Sequence, residues 1–169
     1  MAGVQHLLSR TWAEDLGLSV LLADFSSALE DDSAQPVPQA ARVHTVPAAN
    51  LSCAGAFLES ARGRYGVVAA SLPRSAVSKS LDVLQRADAI LLVAESSPAS
   101  LAIARDLTLS LRPHGLHESC GLLLIPVPGG LRPGLAEDFT NVPVCSLIES
   151  TRQIKRLAAF LAFDRDCAA

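Results

Sequence analysis

Short aliphatic runs recur along this chain, separated by stretches whose apolar residues fall at helical spacing. The runs are Leu18–Asp24, Arg42–Val46, Tyr65–Ser71, Ala89–Ala94, Gly121–Val127 and Val142–Leu147. They lack the in/out alternation of a half-exposed strand, which is the pattern of strands covered on both faces. Strand-like runs alternating with helical patterns predict βαβ units. The expected fold is therefore α/β: three layers, α/β/α, around a mostly parallel sheet of about six strands.

The intervening helices have readable start signals. Asn50 is placed to cap Leu51–Arg62 and Ser75 to cap Ala76–Arg86. Ser97-Pro98 sets a capping hydroxyl before a first-turn proline and predicts a helix over Ala99–Leu111. Within it Leu101, Ala104, Leu107, Thr108 and Leu111 form one mostly apolar stripe. The last helix opens on Ser150-Thr-Arg-Gln153, a capping box. Its Ile154, Leu157, Ala158 and Leu161 repeat toward the sheet, with Arg152, Lys155 and Arg156 outside. Glu30–Gln39, acidic and then carrying Pro36 and Pro38, reads as a surface loop. Pro126–Pro133, with Gly129-Gly130 inside it, reads as a loop over the carboxyl edge of the sheet. No internal repeat or second domain is visible, so residues 1–169 are read as one domain.

Composition narrows the function classes. Half of the 169 residues are hydrophobic and only 4% aromatic, which implies an aliphatic core. A domain of this size buries roughly 70% of its unfolded surface. A net charge of −3 makes no electrostatic case for nucleic acid. Cys53, Cys120, Cys145 and Cys167 lack paired spacing and read as reduced thiols. No apolar run reaches the roughly 18 residues that span a bilayer, and no secretion signal opens the chain. The expected class is a soluble cytoplasmic domain.

The most telling segment is Tyr65-Gly-Val-Val-Ala-Ala-Ser-Leu-Pro-Arg74, a buried strand delivering a loop. It resembles the "YDYVIVDLPP" segment of the MinD/ParA-type P-loop ATPases, whose strand ends in a magnesium-linked aspartate followed by prolines. Ser71 stands in that aspartate's place, Pro73 keeps the first proline and Arg74 replaces the second. Val20-Leu-Leu-Ala-Asp24 resembles the family's "VLLVDxD" strand, with Asp24 at the first aspartate and Ser26 at the second. Arg86–Val93 resembles the "L..AD.vllV" strand, and Ser97-Pro-Ala-Ser-Leu101 the helix after it, in the manner of the CpaE/TadZ pilus-assembly branch. Val142-Pro-Val144 resembles the strand before the last helix. Each piece is weak alone; their order and intervals carry the resemblance, which covers nearly the whole chain.

The departures bear on function. The family begins with a strand and a Gly-rich loop whose N–H groups and lysines surround the phosphates. Here Gly3-Val4 is the candidate remnant of "GGVGKT", with Leu7–Leu16 as the following helix and no lysine nearby. Ile125 occupies the place of the family's base-contacting asparagine. A hydroxyl at Ser71 has no charge to hold a metal-bound water. Each charge-assisted hydrogen bond to phosphate is worth about 1.5–3 kcal/mol. Losing three costs on the order of 5 kcal/mol, some three to four decades of affinity. The degenerate nucleotide-site candidates are thus Gly3, Asp24, Ser71, Pro73, Arg74 and Ile125, with no catalytic residue, no metal ligand and no cofactor expected. ATP and magnesium enter only if a P-loop lies upstream of this chain. The resemblance also places the family's first strand between the strands matching Tyr65–Ser71 and Ala89–Ala94. Either those two close on each other here, or residues are missing upstream.

Blander readings stand beside these. Asp24 also reads as a strand-end aspartate capping a turn, and Arg74 as a surface arginine. Ser71 has no assignable base as a nucleophile. His114-Gly-Leu-His117-Glu-Ser-Cys120 has ligand-type residues but reads as an ordinary connection. Trp12 reads as a core or interface anchor.

The resemblance implies a catalytically degenerate domain working as a localisation or assembly factor through protein contacts. It implies a homodimer, or a heterodimer with an active paralogue, and recruitment from the cytoplasm to the inner membrane or a cell pole. The alternatives are the nucleotide-binding part of an exopolysaccharide or tyrosine-kinase-like regulator, and a mis-started active ATPase. His44-Thr-Val-Pro-Ala48 resembles the former's "lpaG" stretch, but its Tyr-rich tail is absent: Tyr65 is the chain's one tyrosine.

Overall fold

The structure is a computed structural model, and it describes residues 2–25, 37–40, 42–47, 54–72 and 80–163. They form two compact units, residues 2–86 with the end of the chain from 158, and residues 87–157.

The first unit opens with α1 (Ala2–Arg10) running into a single π-helical turn, Thr11–Asp15. Its sheet is built from β1 (Val20–Asp24), β2 (Val37–Ala40), β3 (Val43–Pro47) and β4 (Val67–Ser71), in the order β2-β3-β1-β4. β1 is parallel to both β3 and β4, and only β2 runs antiparallel to its neighbour. The central position of β1 explains its lack of alternation: Val20, Leu21, Leu22 and Ala23 are all buried. α2 (Ala54–Arg62) sets Leu58 and Ala61 onto this layer, Leu58 with Ala23, Phe25 and Val83, and Ala61 with Leu21. A short helix α3 (Leu81–Leu84) contributes Val83.

The second unit has a wholly parallel sheet, β5 (Ile90–Glu95), β6 (Cys120–Ile125) and β7 (Val144–Leu147), in that order. Its central strand β6 is again continuously buried from Cys120 to Leu124. Between its strands run α4 (Pro98–Leu111) and α5 (Pro133–Thr140). α6 (Thr151–Phe163) follows β7 and straddles the division between the units.

All six expected strands are present, each within a few residues of its sequence bounds. Ser97 caps α4 as its spacing predicts, its Oγ accepting from the Ser100 N–H at 3.3 Å with Pro98 in the first turn. Leu101, Ala104, Thr108 and Leu111 are buried along that stripe. At α6 the Gln153 side chain accepts from the Ser150 N–H at 3.0 Å, one half of the capping box. The Ser150 hydroxyl turns back to Gln153 Oε1 at 3.2 Å instead of taking a backbone donor.

Two readings change. The expected loop over Glu30–Gln39 ends in strand β2 despite Pro38, because β2 is an edge strand and a missing N–H is tolerated there. The Pro126–Pro133 loop ends where Pro133 starts α5, a helix its short apolar pattern did not announce. The sheet also differs from the single sheet of about six strands. Among the described residues seven strands form two sheets, one of four and one of three, with β4 at the end of the first and β5 at the end of the second. The caps expected from Asn50 and Ser75 lie outside the described residues.

Candidate functional site at the carboxyl ends of the strands

Parallel strands present their carboxyl ends together, and open α/β sheets place ligands there. In the first unit Asp24 and Ser71 are register partners at the ends of β1 and β4. The Phe25 N–H donates to the Ser71 carbonyl at 2.9 Å, which holds the two ends level. Phe25 is buried with Ala23, Leu58 and Val83, with Leu72 and Val68 packed against them. The pair thus combines one carboxylate and one neutral hydroxyl above an aliphatic floor. Gly3 lies in the first turn of α1, in helical conformation rather than in a loop. Pro73 and Arg74 lie outside the described residues.

In the second unit Ile125 ends β6 opposite Glu95 of β5. The residue organising this end is Ser96, only 2% exposed. Its N–H donates to the Ile125 carbonyl at 2.8 Å, and its carbonyl accepts from the Leu131 N–H at 2.7 Å. Its Oγ accepts from the Val127 N–H at 3.0 Å. Three contacts from one serine therefore fold the segment from Pro126 to Leu131 back over the strand ends. Gly130 permits this: a Cβ there would lie 1.9 Å from Ser96 Oγ and 3.0 Å from the Ser96 carbonyl oxygen. Sequence reasoning passed over Ser96 because its neighbour Ser97 carried the cap signal; the available hint was the small, paired Gly129-Gly130.

The His114–Cys120 stretch forms two 3-10 turns, Arg112–His114 and Leu116–Ser119. His114 is exposed, and the Cys120 thiol meets the Leu116 carbonyl at 3.3 Å. Burial pushes that thiol's pKa up from 9.0 to about 11, which makes it a poor nucleophile near neutrality. Among the described residues no three His, Cys, Asp or Glu side chains gather as a metal-holding group.

No model of a protein family matches this chain, and no curated protein matches its sequence. Solved structures do resemble it. MinD from Pyrococcus horikoshii OT3, complexed with Mg-ADP, superposes with a TM-score of 0.69 at 15% identity, covering 98% of this chain and 92% of that one. A chain of the MinC:MinD cell division protein complex of Aquifex aeolicus gives a TM-score of 0.77 at 13% identity, covering 94% and 88%. A ParA family ATPase from Chlorobium tepidum TLS gives 0.75 at 11% identity, covering 96% and 91%. Over nearly its whole length, this chain has the fold of the MinD/ParA-type P-loop ATPases.

Proposed function

We propose that this protein is a MinD/ParA-fold domain with a degenerate nucleotide site, acting through protein contacts as a localisation or assembly factor. The observation that carries the reading is the Asp24–Ser71 pair, where a hydroxyl takes the strand-end position that the resemblance assigns to a metal-linked aspartate. One carboxylate beside a neutral oxygen is a weak donor set for a magnesium ion that must also meet a triphosphate. Two further features support it. Gly3 sits in a helical turn with no lysine beside it, and the end of β6 carries aliphatic Ile125 rather than a side chain that reads a base. These residues do not fit Mg·ATP, and no hydrolytic step is assigned to them.

Protein contacts are the remaining work for such a domain. One structure of similar fold belongs to a MinC:MinD cell division protein complex, and action through protein contacts is proposed here too, with a homodimer or a paralogous heterodimer as the working form. Cytoplasmic residence with recruitment to the inner membrane or a cell pole belongs to the same proposal. Among the described residues no helix is long and apolar enough to cross a membrane.

Thermal unfolding with and without millimolar Mg·ATP tests the reading. A retained micromolar site would add about 4 kcal/mol at a thousandfold excess of ligand over Kd. The expected result is an unchanged Tm and no calorimetric binding heat. ATP-dependent stabilisation of the unmodified chain would overturn the degenerate site.

A further inference from the structure

We draw no further inference here: the strongest candidate, the apolar surface patch of α4 and α5 that leaves Leu109, Leu135 and Phe139 exposed, carries nothing because nothing in the structure shows what covers it.

Discussion

The indole Nε1–H of Trp12 donates to the carbonyl of Ala158 at 2.9 Å, a buried bond between residues 146 apart in sequence. Trp12 sits in the π-helical turn, and its own carbonyl accepts from the Leu18 N–H at 2.9 Å, fixing the entry to β1. One side chain thereby ties the amino-terminal helix to α6. Trp12→Phe keeps most of the apolar volume and removes the donor, so it is expected to cost about 1–2 kcal/mol. Trp12→Ala adds a cavity and costs about 3–5 kcal/mol. Urea unfolding midpoints of the two variants check both values and their order.

Ser96 and Gly130 form a lock on the loop that follows β6. Gly130→Ala drives a methyl into Ser96 and is expected to destabilise by about 1–3 kcal/mol. Ser96→Ala leaves the part-buried Val127 N–H without its acceptor, at the lower end of that range. Because the nearest clash is with the Ser96 hydroxyl, the double variant should cost less than the sum of the two. Thermal denaturation of the four-member cycle measures this coupling. Amide exchange at Val127 localises it.

Cys120 predicts a pH dependence. Its thiol is buried, and the protonated form is favoured in the fold, with the pKa raised from 9.0 to about 11. The unfolded chain therefore loses this proton first as pH rises. The contribution is fully present below pH 9 and is lost between about pH 9 and pH 11. Stability of the native chain falls across that window, and Cys120→Ala falls less steeply. Equal slopes for the two proteins would refute the assignment.

The strand pattern was legible because its cause is local. Residues such as Leu122-Leu-Leu124 and Val20-Leu-Leu22 are apolar without alternation since both of their faces are covered, and that is a property of the run itself. The Ser97-Pro98 cap was legible for the same reason, since the hydroxyl and its donor are three residues apart. Val37–Ala40 was not, because a proline-bearing strand is permitted or forbidden by its place in the sheet, which no local signal reports. Ser96 was missed on the same principle. Its partners at Ile125, Val127 and Leu131 are near only after β5 and β6 pair.

The chain's own order of residues determined the α/β class, the six parallel-type runs and the identity of the strand-end residues Asp24, Ser71 and Ile125, all consequences of short-range periodicity and composition. Tertiary structure alone decided that Asp24 and Ser71 stand side by side, that Ser96 gathers the loop after β6, and that Trp12 finds its acceptor on α6. Each of these is a pairing between segments distant in sequence. Such pairings are set by packing and by the backbone's need to satisfy its hydrogen bonds, not by the residues on either side.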